Sequence, residues 1–570
     1  MSSIISLLSP AQIAQLTTTA IQSLQTTDIA ALSTSQAAAL TSTQVNAMGT
    51  VDLQYLAGTQ VAALSTAVVS ALLTLQFDNF TTTQLSQFTA SQVSVLTAGE
   101  FSTFSTTEIR AFSTTQAGAI TAAQLGSITT TALNNFSTTQ VGQLSATQLH
   151  GLSTAQLNSL TNANLNAVNV NDLTTGQVSG LNTTAIGTLS TTQVSTLTTA
   201  QVAVLTTAQI GQLSSTEIQA FNSAQAGAFT ATQLGGLTTT GINNFSSTQI
   251  GQLTTTQTQG LTTAQLNALS TASLDAVGVA KLKTTQVAGL TTTSVNTLTT
   301  TQVAAFATTQ IASLDASQIG TLTTTEVRAF STAQAGAFTA TQLGGLTTTA
   351  IGNFSTTQLA ALTTAQTQGF STTQLNALSG TNLNALDASE FSTGQVSGLT
   401  TTAISSLSTT EVGTLSSAQV GALTAAQIGT LTTTEVHAFT TTQASGLTAT
   451  QLGGLTNSAL SNFTTTQFSQ FTTAQSQGLT TSQLNALSQT NLNALDANEL
   501  STDQVSGLTT TVITNLTTTQ VSTLTAGQIG ALTTTQATFF TTTEYAAFTT
   551  AQAGALTSDQ IGALTTAKFS

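Results

Sequence analysis

The chain contains no cysteine, no tryptophan, a single proline and very few charged side chains. Without cysteine it can form neither a disulfide framework nor a thiolate metal site. Only 4% of its 570 residues are charged, against about 25% in ordinary globular proteins. Disorder goes with low hydrophobicity and high charge, whereas 40% of this chain is hydrophobic. The sequence therefore predicts a folded protein with an apolar core.

Basic residues are the scarcest class: five Lys and Arg stand against nineteen Asp and Glu, for a net charge of -14. Nucleic acids and anionic membranes both attract clustered Lys and Arg, so we expect neither as a partner. No apolar run approaches the roughly 20 residues of a membrane-spanning helix. Residues 1–12 lack the basic segment of a signal peptide, so we also expect no cleaved N-terminal signal.

What the sequence does contain is an eight-residue repeat, with the consensus L-T-T-x-Q-Φ-x-x, where Φ is apolar. We number its positions 0 to 7 from the large apolar residue, as at Leu205, Leu213, Phe221 and Phe229. Positions 1 to 3 are rich in Ser and Thr, position 4 is usually Gln, position 5 is Val, Ile, Leu or Ala, and positions 6 and 7 are small or polar. We call each repeat an octad.

A longer period of 109 residues is superimposed on the octads. The spacing between position-0 residues shortens from eight to five once per period, at Val168 to Leu173, Val277 to Leu282, Leu386 to Phe391 and Leu495 to Leu500. The sequence thus predicts one continuous solenoid with divisions at residues 1–172, 173–281, 282–390, 391–499 and 500–570. Each short unit removes three residues from the winding, so we expect a correction of phase or a bend there.

Two conformations compete for the octad, a β-solenoid strand and a very short helix. Strand alternation requires apolar residues two apart, but positions 0 and 5 have opposite parity. Ser or Thr at position 1 with Gln or Glu at position 4 is instead a helical capping box, and positions 0 and 5 form its hydrophobic staple. The sequence therefore favours an all-α superhelical solenoid of capped helices, one per octad, over the β-solenoid.

Rare residues support the helical interpretation. The only proline, Pro10, follows Ser9 and falls at the first helical position, where proline is favoured. Glutamate occurs only at position 4, which suits the dipole near a helix N-terminus. The nine glutamates are Glu100, Glu108, Glu217, Glu326, Glu390, Glu411, Glu435, Glu499 and Glu544. Helices this short are unstable alone, so stacking must stabilise them.

A search for reactive groups yields no catalytic, cofactor-binding or metal-binding residue. The only histidines, His150 and His437, fall at position 6, and the residues matching His437 in other blocks are Arg110, Gln219, Arg328 and Ala546. Such variety indicates a solvated face. Calcium loops, phosphate loops and nucleophile elbows are absent. The phenylalanines at position 0 are predicted to pack in the core, and they include Phe112, Phe221, Phe330, Phe439 and Phe548.

The most plausible cation ligands lie near the short units. Asp387, Glu390, Asp496 and Glu499 cluster there in two blocks. In the block before them, Lys281 and Lys283 occupy the matching place. That exchange of charge argues against a metal site, and we predict no cofactor.

The motif L-T-T-x-Q-Φ-x-x resembles the Thr/Ala/Gln-rich octapeptide arrays of large bacterial secreted and surface proteins. The resemblance spans nearly the whole chain and implies an adhesin, a surface-layer component or an extracellular filament subunit. An acidic, Cys-free, Lys-poor chain also resembles cargo of one-step bacterial export, whose address is C-terminal, here residues 565–570. The resemblance thus implies an extracellular or cell-surface location.

Length, block repetition and absent chemistry predict a structural protein rather than an enzyme. The first hypothesis is self-assembly into an extracellular filament, sheath or surface layer, with the chain itself as partner. The second is a binding module that presents Thr-rich rows to a cell, to cell-surface or matrix glycans, or to ice.

Overall fold

The computed structural model describes residues 4–564, and the predictions for the first three and last six residues lie outside that range. The chain forms two compact units, residues 1–282 and 283–570, which are built in the same way. Every α-helix begins at position 2 of its octad and nearly all end at position 5, 6 or 7, as in Thr82–Leu85, Thr34–Ala38 and Ser42–Ala47. No strand occurs within residues 4–564. The predicted all-α solenoid is confirmed, and the alternative β-solenoid is wrong.

The predicted capping boxes account for the helix starts. Ser9 caps the helix Pro10–Ala14, with Pro10 at the first helical position. The Ser9 hydroxyl accepts a hydrogen bond from the Gln12 amide, and the Gln12 side chain accepts one from the Ser9 amide at 2.8 Å. Because this box satisfies orphan amides locally, an octad that contains it caps its helix without help from another coil.

Within each unit three octads make one coil of the solenoid, because a helix packs against the third helix after it, as Thr34–Ala38 does against Gly58–Ala63. Positions 0 and 5 point into the coil, where Leu85 is fully buried and Phe88 is 3% exposed. Phe112, Phe221, Phe330 and Phe439 are buried as predicted, and Phe548 is half-buried. Edge-to-face rings fill parts of this core, as between Phe221 and Phe229 at 5.4 Å.

The glutamine at position 4 joins successive coils. In Gln140 the side-chain oxygen accepts the Ser137 amide at 2.8 Å, which closes the capping box. The same carboxamide donates from Nε2 to the carbonyls of Ile109 and Phe112, both at 2.8 Å, in the preceding coil. Gln467 repeats these contacts in the second unit with Val436 and Phe439. Buried carbonyls near each helix end are thus satisfied by a side chain one coil later.

Positions 6 and 7 bring the backbones of adjacent coils close together. A Cβ atom added to Gly151 would lie 2.2 Å from the Ala122 carbonyl oxygen, and one added to Gly126 would lie 2.5 Å from the Gly151 oxygen. Three further pairs repeat this contact at intervals of one block: Gly235 with Gly260, Gly344 with Gly369, and Gly453 with Gly478. These glycines are required by the close approach of two backbones.

The short units are single turns of 3₁₀-helix. They are Val170–Asp172, Val279–Lys281, Ala388–Glu390 and Ala497–Glu499. Gln419 donates to the carbonyls of Ala388 and Phe391 as it would to an ordinary octad. The predicted correction of phase at residues 386–391 is therefore wrong. The turns Val170–Asp172, Ala388–Glu390 and Ala497–Glu499 each pack against the third helix after them, as a full octad does, so the pairing of positions is preserved there. The division into sequence blocks stays a prediction.

Gln140→Ala should lower the free energy of unfolding by about 1–3 kcal/mol, because it removes two inter-coil hydrogen bonds and leaves buried carbonyls without that donor. Urea unfolding followed by circular dichroism measures the change. Gln143→Ala is the matched control, since Gln143 is an exposed glutamine in the same repeat. Equal midpoints for the two variants would contradict a stabilising role for the carboxamide.

Gly151→Ala should lower the free energy of unfolding by about 1–3 kcal/mol, because the new methyl group meets backbone that cannot rotate away. Gly118→Ala should be neutral or stabilising by up to about 1 kcal/mol, because nothing lies within 4 Å of its Cβ position and alanine favours helix. The same denaturation assay compares them. Similar effects of the two changes would refute the close-approach argument.

Candidate functional site

The position-6 residues singled out in the sequence lie on the surface and act as hydrogen-bond donors between coils. Nε of Arg110 donates to the Asn135 carbonyl at 3.3 Å, and Arg328 contacts the Asn353 carbonyl in the same way. His150 Nε2 lies 2.8 Å from the Asp172 carbonyl oxygen. The predicted solvated face is correct in exposure, but it also carries these contacts, which explains why Arg and Gln can replace one another there.

The glutamates of two short units accept hydrogen bonds from hydroxyl groups of the preceding coil, whereas Asp387 and Asp496 accept the backbone amides of Ser389 and Asn498. Oε1 and Oε2 of Glu390 accept hydrogen bonds from Thr364 and Thr367, both at 3.0 Å. Glu499 accepts the equivalent bonds from Thr473 and Ser476 at 3.1 Å. Thr367 and Ser476 are buried at position 5, an apolar position in most octads. Each glutamate carboxylate is therefore matched to a polar group in the coil below it.

Lys281, which has the opposite charge, also binds the preceding coil from this position. Its ammonium donates to the carbonyls of Gly251 and Leu253 at 3.1 and 2.7 Å, close to the pattern of a position-4 glutamine. The side chains of Lys281, Glu390 and Glu499 thus all contact the preceding coil from this position, whereas the Asp172 carboxylate accepts from Asn169 in its own short unit. The sequence correctly singled out these positions as unusual, and their geometry assigns them to coil stacking.

The described residues bring together no three His, Asp or Glu side chains that could hold a metal ion. The surface depressions are shallow grooves between coils. One of them is lined by Thr207, Gly211, Gln212, Gly236 and Thr238. None of the helices within residues 4–564 is long and apolar enough to cross a membrane.

A second way of capping helices escaped the sequence analysis. The octad that begins at Leu399 has Ala403 at position 4, which cannot accept the Thr400 amide. Asn376 accepts that amide instead at 2.7 Å and donates to the Gly398 carbonyl at 2.9 Å. Asn485 does the same for Thr509, whose octad has Val512 at position 4. An asparagine at position 6 of an octad one coil earlier, paired with an apolar position 4, was the available signal.

Glutamate at position 4 can close the capping box but cannot donate to a carbonyl when ionised. Glu100 accepts the Thr97 amide at 2.6 Å and is only 4% exposed. Burial raises the pKa of Glu100 above its ordinary value of 4.5, and the hydrogen bonds from Thr97 oppose this effect. Ionisation of Glu100 therefore opposes folding. The stability that protonated Glu100 contributes is fully present below pH 4.5 and is lost as the pH rises through its raised pKa.

Glu100→Gln should raise the free energy of unfolding at pH 7 by about 1 kcal/mol, because glutamine is uncharged and can donate to the coil below. The gain should shrink at pH 4, where Glu100 is protonated. Urea midpoints at the two pH values measure both effects. Asp78→Asn is the control for loss of one negative charge at an exposed site. A gain that is independent of pH would contradict the role assigned to burial.

Comparison with known proteins identifies the repeat rather than a function. No curated protein matches the chain. A model of a family described as the ALTTAQ repeat matches residues 170–207, 202–239, 311–348 and 539–566. Those six letters correspond to positions 7 and 0 to 4 of the octad, and the chain contains them literally at residues 361–366. The matches agree with the octapeptide repeat found in the sequence and show that this is a repeat protein.

Proposed function

We propose that this chain is a non-enzymatic structural protein that assembles with copies of itself into an extracellular filament, sheath or surface layer. The observation that carries the proposal is the directional stacking of coils. A position-4 glutamine donates hydrogen bonds on one side of a coil, as Gln140 does, and the carbonyls of positions 5 and 0 accept them on the other. In the first coil Gln12 is the donor of this kind, because Ala20 and Asp28 occupy the other two position-4 sites. Such a surface is complementary to another coil of the same kind, and a head-to-tail contact of this type does not close on itself.

The outermost described coils support this proposal. Gln12 is exposed, whereas Gln36, at the same position one coil later, is 3% exposed and donates to the carbonyls of Ile5 and Leu8. In the last described coil, the carbonyls of Ala553 and Leu556 stand at the positions that such a glutamine contacts elsewhere. A position-4 glutamine whose carboxamide has no carbonyl partner can donate to the carbonyls of another copy.

The alternative is an adhesin or another surface-binding module. What favours it is the exposure of Thr at position 3 on successive coils, which produces regular hydroxyl rows, as at Thr192, Thr216 and Thr240. Under either proposal the protein acts outside the cell or on its surface. That location rests on the resemblance to bacterial surface arrays and on the acidic, Lys-poor composition.

Electron microscopy of the purified full-length protein tests assembly. Wild type should form filaments or sheets, and Gln12→Glu should shorten or abolish them. Glutamate keeps the capping box, as Glu108 does with Ser105, but it cannot donate to a carbonyl of a second copy. Because Gln12 is exposed, this change should leave the circular dichroism and the urea midpoint unchanged.

Gln212→Glu is the matched control, because it makes the same substitution at an exposed position 7 on the side of the solenoid. Assembly that is lost equally in both variants would indicate a general effect of charge. If wild type gives only short monodisperse particles, self-assembly is wrong. Binding of such particles to a glycan array or to ice would then favour the alternative.

A further inference from the structure

One face of the first unit exposes apolar side chains where the rest of the chain exposes Ser and Thr. Among the described residues, nine large apolar side chains are exposed, and six of them lie on this face. The six are Ile4, Leu7, Val51, Tyr55, Leu73 and Leu75, with exposed fractions between 51% and 77%. We call this set the apolar face.

The elements that carry the apolar face stack on one another. The helix Thr26–Ala30, which lies between Ile4–Leu7 and Thr50–Gln54, exposes no large apolar side chain, so the face is continuous only across Thr50–Gln54 and Thr74–Phe77. The turn Ile4–Leu7 packs against Thr26–Ala30, which packs against Thr50–Gln54, which packs against Thr74–Phe77. Leu7 and Tyr55 share position 7, and Val51 and Leu75 share position 3. Soluble proteins rarely expose contiguous apolar patches, and those they do expose usually bind something.

The helices under this face lack the side-chain hydrogen bond that caps most helices of the chain. The residues at their cap positions are Gln25, Gly49 and Leu73, and none of them makes the side-chain cap hydrogen bond found in most octads. Losing such a cap costs about 0.5–2 kcal/mol. The Leu73 amide is bound by Asn46 at 3.3 Å, which leaves the buried Oε1 of Gln76 without a partner. Departures from a local rule are expected where a surface serves a function.

The charges around the apolar face have one sign. Asp28 and Asp52 lie at position 4 of its helices, and Asp78 is exposed at position 6. The first basic residue of the chain is Arg110. A second copy docked through the same face would bring its aspartates against these, and an anionic membrane would be repelled. A partner with apolar and basic groups complements both the surface and its charge.

We propose that the apolar face docks an amphipathic basic segment of another protein, with the apolar side chains of that segment against Val51, Tyr55, Leu73 and Leu75 and its Lys or Arg beside the aspartates. Basic amphipathic helices bind apolar grooves in this manner. This function is separate from the stacking of coils, because its apolar contacts use the outward positions 1, 3 and 7, whereas stacking uses the donors at position 4.

The test is binding of a synthetic Leu/Lys peptide of about four helical turns, with Leu on one side and Lys on the other, to the full-length protein by fluorescence anisotropy. The triple variant Val51→Thr, Leu73→Thr and Leu75→Thr should weaken binding by about tenfold or more. It should also raise the urea midpoint, because Thr at residue 73 restores a helix cap. Val204→Thr, an exposed valine on another face, should bind like wild type.

Two further measurements test the charge and the identity of the partner. Asp78→Asn and added salt should both weaken binding, and a Leu/Glu peptide of the same pattern should not bind. Asp78 is chosen because Asp28 and Asp52 accept the amides of Gln25 and Gly49. Equal binding of wild type and the triple variant, or of the two peptides, would overturn the proposal.

Sedimentation and vesicle flotation separate the other occupants. If wild type dimerises and the triple variant does not, the face binds a second copy and the proposed partner is wrong. If wild type binds phosphatidylcholine vesicles through these residues in preference to the peptide, the occupant is a lipid surface. A result in which filaments persist in the triple variant while peptide binding is lost would confirm that docking and assembly are independent.

Discussion

The carboxamide at position 4 is the interaction on which the rest of the structure depends. A helix of four to seven residues leaves most of its amides and carbonyls without intrahelical partners, so a chain made of such helices must satisfy them by other means. In Gln140 one side chain serves both ends: its oxygen caps its own helix at Ser137, and its nitrogen reaches Ile109 and Phe112 in the coil below. Because glutamine does this without charge, the side chain can be buried at no cost of ion desolvation. This explains why glutamine is much commoner than glutamate at position 4.

Coil stacking requires only a few properties of each octad. This explains which positions of the octad can vary in sequence and which cannot. Positions 0 and 5 must be apolar enough to fill the coil, and position 7 must be small where two backbones meet, as at Gly151. The donor at position 4 can be exchanged for the Lys281 ammonium, and the cap acceptor can be supplied by Asn376 from another coil. A five-residue unit also fits, because Ala388 and Phe391 still offer their carbonyls to Gln419. What is conserved along the solenoid is the pairing of positions, and the number of residues between them can vary.

The sequence predicted the fold as far as local chemistry reaches. Ser9, Pro10 and Gln12 lie within one helical turn, so their types alone indicate the cap. The number of octads per coil could not be predicted, because it depends on contacts such as Gln36 with Ile5 and Leu8, which are 31 and 28 residues apart. The prediction of a phase correction near Leu386 was wrong for a related reason. It assumed a fixed number of residues per coil, whereas a coil is defined by three helical elements, one of which can be shorter. The choice of glutamine over glutamate at most position-4 sites was the available clue, because a capping box accepts either residue but only glutamine can also donate. The apolar face was missed because Leu73 and Leu75 are inconspicuous in a chain that is rich in leucine until the helix register shows that they point outward.

In some octads the backbone amide at position 1 has two possible side-chain acceptors. One is the position-4 residue of its own octad, and the other is an asparagine of the preceding coil. The Ser190 amide is bound by Asn166 at 2.8 Å, and Oε1 of Gln193 in that octad is left without a partner. In the matching octad of a later block, Gln520 takes the Thr517 amide, and the buried oxygen of Asn493 is the one left. Between them, Ser408 is bound by Asn384, and Glu411 instead accepts the Ala388 amide at 2.7 Å, so both acceptors are satisfied. In the three matching octads the amide is therefore bound by the asparagine, by the glutamine, or by the asparagine while the position-4 residue accepts a different amide. Because the interior absorbs such changes without altering the winding, differences of function between coils must reside in the outward positions, and there the first unit departs furthest from its own repeat.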